Sequence, residues 1–169
     1  AVREKGFDAV PESQREGVTR PAPPSTAYVD YLYPVFVEHE TNPGDKKEKP
    51  ARDSADFRRF LESQTLWDRA MAQGLAEAHR DGLRAQHARV CALARRPGTL
   101  AIGIMGRDHV ARGYGVPHQL AALGVRDAAV LLPWDQDGEC DGLVAGLADA
   151  VFGVAAVAAG QLHSCALTT

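Results

Sequence analysis

Cysteine is scarce, with Cys91, Cys140 and Cys165 the three in 169 residues. They are odd in number, far apart and without a Cys-x-x-Cys pair. That excludes a zinc ribbon and argues against a disulfide framework, so they read as three unpaired small apolar residues. Positive charge is also short, with 19 Lys plus Arg against 22 Asp plus Glu and a net charge of −3. A chain without a positive field has little to offer a nucleic acid, and none is expected as a partner. No nucleotide-binding glycine fingerprint and no repeat of 20 to 50 residues occurs. Long apolar runs are lacking as well. Only Leu143 to Leu162 approaches a membrane span, and it holds Asp149, Gln161 and many Ala and Gly, so it reads as core. No leader is visible and Ala1 is not a natural start, so the chain reads as a mature form or a fragment.

What is present fits a globular chain, at 45% apolar and 24% charged residues. The charge is uneven. All four lysines lie in the first fifty residues, and after Gly98 only Arg107, Arg112 and Arg126 are basic, against seven acids. Ser25 is a plausible helix cap, and Tyr28, Leu32, Val35 and His39 then share a helical stripe, with Tyr31 and Phe36 beside it. Pro34 predicts a kink there, or a short helix followed by another. Asn42 to Ala51 reads as a mobile, solvated linker. Phe57, Phe60, Leu61, Trp67, Met71, Leu75 and Ala78 predict a helix over Ser54 to His79, capped by Asp53 or Ser54. Gly82 predicts a break before a second helix, Leu83 to Ala94. Leu100 to Met105 and Asp127 to Pro133 read as buried strands around a short helix, Val116 to Leu123, a right-handed βαβ unit with parallel strands. Asp149 to Val157 supplies a third strand or a helix.

The expected fold class is therefore α/β: a small, mostly parallel sheet with a βαβ unit, packed against a long helix pair and an N-terminal helical segment. One domain over 1–169 is expected, with a helical and loop region at 1–52 that includes the linker at 42–51, a helix pair at 53–97 and a βαβ core at 98–160.

Gly106-Arg107-Asp108-His109 is the strongest chemical signal, because it directly follows the first expected strand, where α/β sheets bind ligands. His109 suits metal ligation or proton exchange, while a turn with an exposed histidine is the plain alternative. Gly113-Tyr114-Gly115 makes a backbone-permissive loop, followed by Pro117 and His118. Gln64 and Asp68 are polar residues on the stripe of the long helix and need partners, whether they support a site or cap a loop. His79 and His87 read as surface residues on either side of a helix break. His39 closes a helix bearing Tyr28, Tyr31 and Tyr33. A tyrosinate can ligate ferric haem, but composition does not choose among the three, and aromatic core is the usual explanation.

Three segments taken together, Gln64-Thr-Leu-Trp-Asp68-Arg-Ala-Met71-Ala72, Gly106-Arg-Asp-His109-Val110 and Gly113-Tyr-Gly-Val-Pro117-His-Gln-Leu120, resemble the ChaN-like haem-binding uptake proteins of the Tiki/TraB-related superfamily. The aromatic segment from Tyr28 to His39 is similar too. The resemblance covers roughly Thr26 to Val157, the later part of the family domain, since the opening strand ending in Gly-Glu-x-His has no counterpart here. It implies a non-catalytic haem-binding protein of iron uptake, periplasmic or associated with the outer membrane, often a lipoprotein anchored through a segment absent here, and able to enclose haem as a homodimer, with a tyrosine as iron ligand and His or Lys near the propionates. Haem is then the cofactor and partner. His109, Tyr31, Tyr33, His39 and Tyr114 are the implied haem contacts, with Tyr33 and His109 as candidate iron ligands and Gly106, Gln64, Asp68 and Pro117 as supports. The alternatives are a metal-dependent hydrolase of the Tiki-like type and an interaction domain without a small ligand.

Overall fold

Ser25 opens the first helix, α1, Thr26–Glu40, and its Oγ accepts the Tyr28 N–H at 3.2 Å. In the computed structural model the described residues are 4, 6–40, 49–90, 100–135, 142–154, 156–159 and 164–167, with the backbone alone described at 82–90, at 135 and from 154 onward. Residues 42–48 of the expected linker, Cys91 and Cys140 lie outside them. Pro34 does not divide α1. The buried residues are Tyr28, Leu32 and Phe36, one turn apart, and their packing outweighs the hydrogen bond that the proline removes. His39, expected on that stripe, is exposed.

The second helix, α2, runs unbroken over Ala55–Val90, with the Ser54 Oγ accepting the Phe57 N–H. The break expected at Gly82 does not occur. A mid-helix glycine costs only about 1 kcal/mol relative to alanine, and Ala, Leu, Arg and Glu around it favour helix. At 1.5 Å per residue, α2 is about 54 Å long, long enough to serve two cores in succession. Its first half packs Phe57 and Phe60 against Phe36, both ring pairs at 5.3 Å. Further along, Ala72 and Ala76 let α3, Val116–Ala122, approach through Val116 and Leu120. The buried face therefore passes through Phe57, Thr65, Asp68, Ala72 and Ala76. Trp67, expected inward, lies about 100° around the helix from Asp68 and is 59% exposed.

The polar N-terminal stretch straps the two helices together. The Gln119 carboxamide brackets Ala22, accepting its N–H at 2.8 Å and donating to its carbonyl at 2.9 Å. Arg69 donates to the Thr19 hydroxyl, and Gln73 accepts the Thr19 N–H and donates to the Gly17 carbonyl.

The parallel sheet is formed by β1, Leu131–Asp135, and β2, Ala150–Val154, with Leu131 opposite Ala150 and Asp135 opposite Val154. The architecture is thus a small α/β fold. Two further short strands, β3 (Ala156–Ala159) and β4 (Ser164–Leu167), pair antiparallel. The run from Leu143 thus enters turns and strands, and no described helix is long and apolar enough to cross a membrane.

The strand expected at Leu100 to Met105 is not hydrogen-bonded into a sheet. Met105 packs into the α2/α3 core, while Leu100, Ile102 and Ile104 are 79%, 76% and 88% exposed. The alternation is that of a strand, but β1 pairs with β2 instead. The expected second strand accordingly begins at Leu131, not at Asp127.

Candidate functional site

The site forms where α1, α2 and the loop before α3 meet. Asp68 lies on the buried face of α2 and is 0% exposed, so its carboxylate must be satisfied by neighbours. The Tyr28 hydroxyl donates to Oδ2 at 2.8 Å, and Nδ1 of His109 meets Oδ1 at 2.7 Å. A carboxylate only accepts, so Nδ1 carries the proton of this contact, and in the neutral imidazole the lone pair is then on Nε2. Nε2 has no hydrogen bond among the described residues, and the His109 side chain is 20% exposed. The Trp67 ring stands 6.4 Å from the imidazole.

The backbone holds this arrangement in place. His109 ends a single 3-10 turn, Arg107–His109, and its N–H donates to the Gly106 carbonyl at 3.1 Å. A second turn follows at Ala111–Gly113, and there the Arg112 N–H donates to the Leu147 carbonyl while Ala111 packs with Leu132 and Leu147. The loop is thereby tied to the sheet. Gly115 has φ +56°, and a β-carbon there would meet the His109 carbonyl oxygen at 2.5 Å and Asp68 Oδ1 at 2.9 Å. Only glycine allows so close an approach.

Three phenols cluster around the dyad. Tyr114 lies 5.6 Å from Tyr28 and 5.8 Å from Tyr31, ring to ring. The Tyr31 hydroxyl donates to Asp108. Burial above all, then the charge of Asp68, pushes the Tyr28 phenol well above its usual range. Tyr31 is pushed up to about 12, by burial and then by its bond to Asp108, with Arg107 and Arg112 opposing. Both phenols are therefore held as donors. The Arg107 guanidinium lies 5.0 Å over the Trp134 ring, and both arginines are exposed.

The structure thus brings together His109, Asp68, Tyr31 and Tyr114. A β-carbon on Gly106 would be in ordinary contact with the imidazole, Gln64 is half-buried one turn before Asp68, and Pro117 sits in the first turn of α3. Tyr33 and His39 are elsewhere. The Tyr33 hydroxyl donates to the Pro50 carbonyl at 2.9 Å and its ring lies on Phe57, while His39 lies beside Phe60. Tyr28 closes the dyad from behind, and Asp108 and Gly115 complete it. A tyrosine on the buried stripe of α1 signalled the first, and Asp108 and Gly115 stood inside the two loop motifs without a role of their own. A shallow cavity of about 200 Å³, lined by Phe7, Val10, Leu66, Trp67 and Ala70, lies alongside Trp67. It is smaller than the roughly 300–1,000 Å³ of pockets that engulf a drug-sized ligand.

A family model described as haem-binding uptake, Tiki superfamily, ChaN matches residues 1–120. The match begins before the Thr26 expected from the motifs and ends before the sheet. No curated protein and no solved structure matches the chain.

Proposed function

Since the chain belongs to the ChaN family of haem-binding uptake proteins in the Tiki superfamily, we propose that it binds haem without catalysis and that His109 is the iron ligand. The observation that carries this reading is the imidazole itself. Nδ1 is anchored on a buried carboxylate and Nε2 is free at a partly exposed edge. A metal-bound histidine typically donates its other N–H to such an acceptor. Haem, when bound, would supply an iron that this nitrogen would hold. Tyr28 and Tyr31 are protonated donors, so neither is poised as a phenolate. Tyr33 is engaged with Pro50.

The surroundings suit a flat, anionic ligand. Trp67, Tyr31, Tyr114 and Trp134 offer aromatic surface, and Arg107 and Arg112 are cations for the propionates. The face is open, so a second copy closing over the porphyrin is the expected arrangement, detectable as a haemin-dependent mass increase by light scattering. Periplasmic or outer-membrane placement belongs to the same reading and is tested by cell fractionation. A metal-dependent hydrolase is not favoured, since among the described residues no three His, Cys, Asp or Glu side chains converge to hold a metal.

Haemin titration with absorbance detection tests the proposal. A shifted Soret band is expected in the native chain and in Tyr33→Phe, and its loss in His109→Ala. The spectrum of free haemin throughout, or loss in Tyr33→Phe but not in His109→Ala, would overturn it.

A further inference from the structure

We propose that Asp68, its charge moderated by Tyr28, makes the His109 site selective for the ferric over the ferrous form of an iron porphyrin. The inference rests on the haem reading and asks more of it, namely which oxidation state the site holds.

The argument starts from charge. A ferric porphyrin core carries one positive charge more than a ferrous one. Asp68 is 0% exposed, so its negative charge acts through protein rather than through water, where attraction is far stronger. That charge reaches the ligand through the imidazole. The 2.7 Å contact between Asp68 Oδ1 and His109 Nδ1 is short enough for a charge-assisted hydrogen bond, in which the proton moves toward the carboxylate and electron density shifts to Nε2. A more electron-rich nitrogen favours the more highly charged ion.

Tyr28 sets the strength of the effect. Its hydroxyl, 2.8 Å from Oδ2, draws off part of the charge that His109 would otherwise receive. Asp68 and Tyr28 therefore act with opposite sign, although they are hydrogen-bonded to each other. A purely structural role for the pair predicts no such opposition. Neither residue is placed to touch the porphyrin; both act through His109 and are positioning residues.

Two measurements on the full chain test this. In the ligand-free protein, nitrogen NMR of His109 should show the Nδ1–H tautomer, lost in Asp68→Asn. With haemin and with its anaerobically reduced form, dissociation constants and the midpoint potential give the ferric preference directly. Asp68→Asn should reduce that preference about tenfold or more, which is about 59 mV upward in potential for each factor of ten. Tyr28→Phe should shift the potential downward, and Asp68→Glu should restore part of the native value. Gallium(III) and zinc(II) protoporphyrin, which undergo no redox change, should show the same loss of trivalent preference in Asp68→Asn.

An Nε2–H tautomer in the native chain overturns the proposal. So does an unchanged ferric preference in a folded Asp68→Asn chain, or a Tyr28→Phe shift in the upward direction. Should Asp68→Asn not fold, the sign of the Tyr28→Phe shift decides. Failure of haemin to bind through His109 removes the haem reading, and this proposal with it. Binding through His109 with no Asp68 effect removes this proposal alone.

Discussion

A β-carbon on Gly115 would stand 2.9 Å from Oδ1 of Asp68, the oxygen that faces His109. The missing side chain is what lets helix and loop close on each other. Gly115→Ala adds this clash to a backbone at φ +56°, where alanine is strained. The expected cost is about 2–4 kcal/mol, measured by denaturant unfolding, together with weakened haemin binding, since the dyad must open to admit the methyl group.

Alkaline pH should loosen the site through Tyr31. Its pKa is pushed up to about 12, first by burial and then by the bond to Asp108. An unfolded tyrosine ionises near about 10. Because the folded value is the higher one, the stabilisation is complete below pH about 10 and is lost as pH rises through about 12. Denaturation midpoints should therefore fall across that window in the native chain and fall less in Tyr31→Phe. Phenolate absorbance should show Tyr31 ionising near the top of it.

Arg107 and Arg112 should read the carboxylate arms of the porphyrin. Replacing both with alanine should weaken haemin binding about tenfold while leaving the position of the Soret band unchanged, because the iron ligand is untouched. The dimethyl ester of haemin should bind the native and doubly substituted chains alike. Added salt should mimic the substitution, since both guanidinia are exposed. Equal losses for haemin and its ester would remove the arginines from recognition.

The strap over the helices depends on Gln119. The side chain is 1% exposed and satisfies both backbone groups of Ala22. Gln119→Leu leaves those groups without their partner, at an expected cost of about 1–3 kcal/mol. Hydrogen exchange should rise first at residues 17–24, ahead of the helices.

Helical periodicity made α1 and α2 legible because burying one face imposes a repeat that side-chain type reveals. The same repeat misplaced Trp67 and His39, since a stripe drawn from hydrophobicity alone is wider than the face actually buried. The polar stretch before Ser25 carried no periodic signal, and its role rests on individual hydrogen bonds to residues far along the chain.

His109 stood out in the sequence because a glycine-bounded turn after an apolar run is where such chains place polar chemistry. Asp68 stood out because a carboxylate on a core stripe needs a partner. Residue order could not say that these two were each other's partner. That pairing depends on a contact between positions 41 residues apart, on Tyr28 closing it from a third element, and on a glycine whose value lies in the space it leaves. Local pattern determines which residues form the long helices, because propensity and periodicity act over a few neighbours, whereas the apolar run Leu100 to Met105 stays outside any strand. Only the packed chain decides which polar groups meet, because a buried charge is satisfied by whatever the fold brings within hydrogen-bonding distance.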